Sequence, residues 1–267
     1  MKKILFLIIL LIPELLLGQE EAWNNYLGQF ENGTGSVVLN MDIVKRAPIK
    51  ELPFVIITGV KFKPCDKNGL PQDEGFAKLY QISDSINVAV ENITKTEFVG
   101  TFTYQCERLD YIYVKDTSGL RNILSATYKR LFPEYDNYIN IRYDKEWAAY
   151  LEFLYPNEQT MEYMSNQSVL DQLIAEGDNL IQARQVDHWL YFSNKKDLND
   201  FAEYAKGQSF KIEGNDKVKG QELPYQLHIS RNDKVDIESI SKVTIQLRTD
   251  AKRFNGEYDG WETFIVK

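Results

Sequence analysis

The residues of this chain that could do chemistry are few. It has two cysteines, Cys65 and Cys106, and two histidines, His188 and His228. Structural zinc needs four convergent ligands, and four residues this scattered make a poor set, so no metal is expected. The thiols do not form Cys-x-x-Cys, which argues against redox exchange. Carboxylates gather at Glu257, Asp259 and Glu262, around Trp261. A glycosidase needs two acids at a set separation across a cleft, and neighbours on one strand do not supply that. Asp259-Gly260 reads instead as a bulge or a close backbone contact. The chain has no phosphate loop, no His-Glu-x-x-His, no Gly-x-Ser-x-Gly and no dinucleotide fingerprint. These absences predict a protein without catalytic residues and without a cofactor.

What remains is surface chemistry, and its placement depends on the elements that carry it. Phe54 to Phe62 reads as a strand, and Pro71 to about Asn92 as a helix that starts with Pro71 and acids in its first turn and carries Phe76, Leu79, Ile82, Ile86 and Val90 at helical spacing. Strands follow at Phe98–Gln105 and Leu109–Lys115, then a helix at Leu120–Leu131 and a strand at Tyr138–Tyr143. A further helix is expected over Asp144–Leu154, a polar linker over 157–167, and a helix from Ser168 to Leu180. The pattern then repeats: strand Arg184–Phe192, helix Asp197–Lys206, strands Ser209–Glu213 and Leu223–Ser230, helix Asp236 to Arg253, strand Tyr258–Val266. Both halves are βαββαβ. The compact solution to that order is an antiparallel sheet of strand order 4-1-3-2 with both helices on one face. The expected fold class is therefore α+β, with two ferredoxin-like units.

This placement gives the candidate residues a geometry. Cys65 follows strand 1 and Cys106 follows strand 2, so both lie at one end of the sheet. Strand 3 separates them by roughly 9–10 Å, and a disulfide needs Cα atoms about 4.4–6.8 Å apart. Either the Cys65 loop leans across and the two bond, or they are buried free thiols. In the second half, Val186, His188, Leu190 and Phe192 alternate with Asp187, Trp189 and Tyr191. Tyr225, Leu227 and Ile229 alternate with Gln226, His228 and Ser230. With the apolar sets under the helices, the two histidines fall on opposite faces and cannot act together. Asp187, Trp189, Tyr191, Gln226, His228 and Ser230 share the helix-free face. Aromatic and hydrogen-bonding groups mixed in this way suit a protein-binding platform. Cover by the N-terminal domain is the competing use for such a face.

Charge narrows the partner. The net charge is −8, which argues against nucleic acid and against an anionic lipid surface. The chain opens with Met1-Lys2-Lys3, an apolar run Ile4–Ile12, then Pro13-Glu14 and Leu15–Leu17 before Gly18-Gln19. A basic flank, a short apolar core and a small residue are the layout of a secretory signal. Residues 1–18 are expected to be that signal, and the mature chain to be periplasmic or extracellular without a membrane span. A two-cysteine chain in that setting invites a disulfide.

Two family resemblances rest on particular residues. Residues 168–267 resemble the ribonuclease E inhibitor B family (RraB). The resemblance is carried by Arg184-Gln185-Val186-Asp187-His188-Trp189-Leu190-Tyr191-Phe192 and, most specifically, Tyr258-Asp259-Gly260-Trp261-Glu262-Thr263. Residues 19–156 resemble domain-of-unknown-function family 695, through the early Trp23, Gly69-Leu70-Pro71, and Asp144-Lys145-Glu146-Trp147 leading to Tyr155-Pro156. The first resemblance implies inhibition by protein–protein contact, and no catalytic residue is carried over. Ribonuclease E is cytoplasmic, so an exported chain would keep the fold and not that partner. The leading expectation is an exported, non-enzymatic, two-domain protein that binds an unidentified protein through sheet surfaces. The alternative is a periplasmic small-ligand binder or weak hydrolase with its site between the domains.

Overall fold

The computed structural model describes residues 22–267. The signal expected at residues 1–18 lies outside them. The chain divides into two units, the first ending at Tyr155 and the second starting at Pro156.

In the first unit a hairpin of β1 (Trp23–Phe30) and β2 (Gly33–Asn40) precedes the expected run. That run is β3 (Phe54–Lys61), α1 (Asp73–Glu91), β4 (Thr96–Tyr104), β5 (Glu107–Val114), α2 (Leu120–Leu131) and β6 (Asn137–Tyr143). The sheet order is β1-β2-β4-β5-β3-β6. Its last four strands are all antiparallel and have the 4-1-3-2 order. Strand β1 is weakly signalled in sequence, because Asn24, Asn25, Gly28 and Gln29 break up its apolar residues. Strand β2 ends at Asn40, whose side chain caps a 3-10 turn over Met41–Lys45.

Residues of β3 alternate between two cores. Ile56 and Val60 join Ile112 and Val114 beneath the apolar stripes of α1 and α2. Val55 and Ile57 join Tyr111 and Tyr113 on the other face, under Ile43, Trp147, Tyr150 and Leu154. The face a bare ferredoxin-like sheet leaves uncovered is thus filled from within this unit. The covering segment is not the helix expected over Asp144–Leu154. Trp147 has φ +58°, which no right-handed helix tolerates, and regular structure is confined to a π-helical turn at Ala149–Leu154. Packing sets that backbone. The Trp147 indole stacks on Tyr113 at 3.8 Å between centroids, and its N–H donates to Leu52 O at 3.0 Å. Asp144 accepts from the Ala148 and Ala149 amides.

Cys65 and Cys106 form a disulfide with a Cα–Cα distance of 5.7 Å. The loop after β3 does lean across. The Phe62 amide donates to Cys106 O, and the Cys106 amide donates to Gly69 O, each at 2.8 Å. Gly69 makes the approach feasible. It has φ +78°, and a Cβ there would sit 2.7 Å from Gln105 Cα.

The second unit comprises α3 (Glu158–Ala175), β7 (Arg184–Phe192), α4 (Lys195–Gly207), β8 (Lys211–Lys217), β9 (Tyr225–Asp233), α5 (Ile237–Arg253) and β10 (Gly256–Thr263). Its sheet order β10-β7-β9-β8 is again 4-1-3-2. Leu190, Phe192, Leu227 and Ile229 pack under α4 and α5 through Leu198, Phe201, Leu247 and Ala251. The polar stretch 157–167, expected as a linker, is the first half of α3. Asn157 caps that helix on Thr160. The buried positions of α3 are Glu162, Asn166, Leu170 and Leu173, so half of its inward stripe is polar. Asn166 donates to Ser241 Oγ and Thr244 Oγ1 and accepts from the Trp261 indole at 2.8 Å. Glu162 pairs with Arg248. Strand β8 runs through Gly214–Lys217, past its expected end at Glu213, because a bulge between Ile212 and Gly214 absorbs the glycine.

Candidate functional site: the helix-free sheet face of the second unit

Alternation along β7 sorts its side chains by face. Val186, His188, Leu190 and Phe192 are buried, while Asp187, Trp189 and Tyr191 are part-exposed. Strand β9 is paired so that Asp187 opposes Ser230, Trp189 opposes His228 and Tyr191 opposes Gln226. Opposed residues of an antiparallel pair project to the same side. The six candidate residues therefore form one two-column ladder on the face without helices.

Each of the six side chains has a partner. The Trp189 and His228 rings are parallel within 9°, with centroids 4.7 Å apart. His228 Nε2 lies 2.7 Å from Asp187 Oδ1, one rung along. Gln226 donates to the Tyr191 hydroxyl at 2.5 Å. Ser230 donates to Glu213 Oε1 at 2.6 Å. Such bonds lock rotamers, so the ladder presents a surface whose ordering cost has been met in folding rather than on binding.

Neighbouring strands add residues that the sequence reading did not assign to this face. On β10, Glu257 opposes Tyr191, Gly260 opposes Trp189 and Glu262 opposes Asp187, with a register shift between Tyr258 and Gly260. The bulge expected at Asp259-Gly260 is where that shift lies. On β8, Lys211 opposes Ser230 and Asp216 opposes Gln226. Sequence clustering signalled the β10 carboxylates, but only register could place Glu257 and Glu262 beside the ladder.

The remaining polar groups do not join this face. His188 is fully buried on the helix side, with Nδ1 3.0 Å from the Tyr258 hydroxyl. Burial pushes its pKa down to about 3, so it is neutral at physiological pH. Asp110 of the first unit is buried and accepts from Ser83 Oγ at 2.9 Å. Burial pushes its carboxyl up to about 7, against the pull of Arg108. Among the described residues no group of three His, Cys, Asp or Glu could hold a metal ion. No helix among them is long and apolar enough to cross a membrane.

Residues 21–155 match the model of a family of unknown function, DUF695. Residues 164–263 match the model of Regulator of ribonuclease activity B. No curated protein matches the chain. A crystal structure provisionally described as a glycine cleavage system transcriptional repressor aligns at 9% identity, over 79% of this chain and 98% of its own, with a TM-score of 0.24. The match over residues 164–263 points to a regulatory, protein-binding role for the second unit.

Proposed function

The chain belongs to the DUF695 family of unknown function and its second unit is similar to regulators of ribonuclease activity; from that premise we propose that it is an exported regulatory protein which acts without catalysis, by binding another protein on the helix-free sheet face. The observation that carries this reading is the bonded ladder of Asp187, Trp189, Tyr191, Gln226, His228 and Ser230. Large, rigid aromatic side chains beside satisfied polar groups are what interface centres are made of. In the ladder the His228 imidazole is bonded to Asp187 and the Ser230 hydroxyl donates to Glu213, so the imidazole and the hydroxyl are not paired with each other.

Export rests on the leader-like composition of residues 1–18 and is supported by the Cys65–Cys106 disulfide, since such bonds persist in oxidising compartments. An exported protein would not meet a cytoplasmic ribonuclease, so the partner is expected in the envelope or outside it. Two experiments test the reading. N-terminal sequencing of the protein from its host should find a mature terminus near Gln19; an intact Met1 would refute export. Affinity capture from the envelope fraction should lose its specific partner with Trp189→Ala and Tyr191→Ala, and capture unchanged by both would refute the sheet-face assignment.

A further inference from the structure

The ladder lacks a rung on its β10 side. Strand order puts His228 on one flank of Trp189 and Gly260 on the other. A ring stacked on the first presents its second surface toward the other. A Cβ built on Gly260 meets nothing within 4 Å, and Gly260 is not among the positive-φ glycines. Neither crowding nor backbone strain therefore excludes a side chain at this position. Its absence leaves a slot about one side chain wide, since opposed Cβ atoms sit about 5 Å apart. The slot is floored by glycine and walled by indole.

Charge says what fits there. Glu257 and Glu262 stand one rung to either side of Gly260 on the same face. Next to the slot is a cavity of about 340 Å³ lined by Tyr191, Gln221, Glu222, Leu223, Glu257 and Asp259, three of them carboxylates and none basic. Among the described residues, Glu222, Glu257, Asp259 and Glu262 make no ion pair. An aromatic face in a field of unpaired carboxylates attracts a cation. A planar guanidinium suits it better than an ammonium, because it stacks on indole while its edge donates to carboxylates.

We propose that the slot between Trp189 and Gly260 receives an arginine side chain from a basic segment of the protein partner, stacked on Trp189 and facing the β10 carboxylates. This rests on the sheet-face reading above and adds the chemistry of the occupant. The probe is a blocked peptide of alternating glycine and arginine, titrated into the full chain, with the Trp189 indole N–H followed by NMR. The arginine peptide should move that resonance. The same peptide with citrulline, a neutral isostere, should bind at least tenfold more weakly, and the lysine version severalfold more weakly. Gly260→Leu should cut arginine-peptide affinity at least tenfold with an unchanged unfolding midpoint, and Gly260→Ala should fall between. Equal binding of the arginine and citrulline peptides, or wild-type affinity in Gly260→Leu, overturns the inference. Partner capture separates the two levels. If Gly260→Leu keeps the captured partner and Trp189→Ala loses it, the arginine subsite fails and the wider face stands. If neither variant changes capture, both fail.

Discussion

Asp110 shows how one side chain can tie stability to pH. Its folded pKa is pushed up to about 7 by burial, whereas an unfolded Asp titrates near 3.9. Between about pH 4 and 7 the folded state holds a proton that the unfolded state has lost, so stability falls as pH rises through that window. Asp110→Asn keeps an acceptor for Ser83 and has no charge to bury. It should unfold at higher denaturant than wild type at pH 8, and the difference should vanish near pH 4. Asp178 works in the opposite direction. Hydrogen bonds from Arg184, with help from the Val266 and Leu180 amides, hold its carboxyl well below the usual carboxylate range. That stabilisation is complete above about pH 4 and is lost as pH falls through the depressed pKa. Both side chains of the pair are buried. Arg184→Met should therefore cost about 3–5 kcal/mol at neutral pH, because it strands a buried carboxylate, and chemical denaturation would read it.

At the scale of elements, α3 marks where the sequence stops being legible. Pattern reading looks for apolar residues at helical spacing, and α3 puts Glu162 and Asn166 at inward positions. They are satisfied only by Arg248, Ser241, Thr244 and Trp261, which lie far along the chain. Asn166→Ala should leave buried polar partners unsatisfied and lower stability by about 1–3 kcal/mol, seen as a shifted unfolding midpoint. The segment around Trp147 evaded prediction for a related reason. Its side-chain spacing predicts a helix, but a stack on Tyr113 and a bond to Leu52 O decide its backbone. By contrast, α1, α2, α4 and α5 follow their apolar periodicity, and most strand cores fall where alternation puts them. The disulfide was open in sequence between bonded and free forms, because the Gly69 approach that closes the gap is a tertiary feature. Replacing both cysteines by serine should cost roughly 4 kcal/mol on the chain-entropy view for this sequence separation of 41.

At the scale of the whole molecule, the same 4-1-3-2 arrangement occurs twice and is finished differently. The first unit covers its second sheet face with its own aromatic segment. The second leaves a polar and aromatic ladder there. Element order alone predicted the shared topology, because crossover handedness leaves few alternatives. Face assignment along β7 and β9 was likewise readable from alternation, which is why the six ladder residues could be named in advance. The contribution of β10 was not, because a bulge shifts its register. Each hydrophobic cluster draws its residues from one unit. A fragment from Pro156 to Lys267 should therefore unfold cooperatively on its own, by circular dichroism and calorimetry. A broad, non-cooperative transition would show that the fragment needs the rest of the chain.

The crosslink between Cys65 and Cys106 has one more effect. It encloses α1 and β4 in a covalent ring. A protease that cuts once inside the ring would release nothing: the nicked protein would keep its mass on a non-reducing gel and part into two bands once thiol is added.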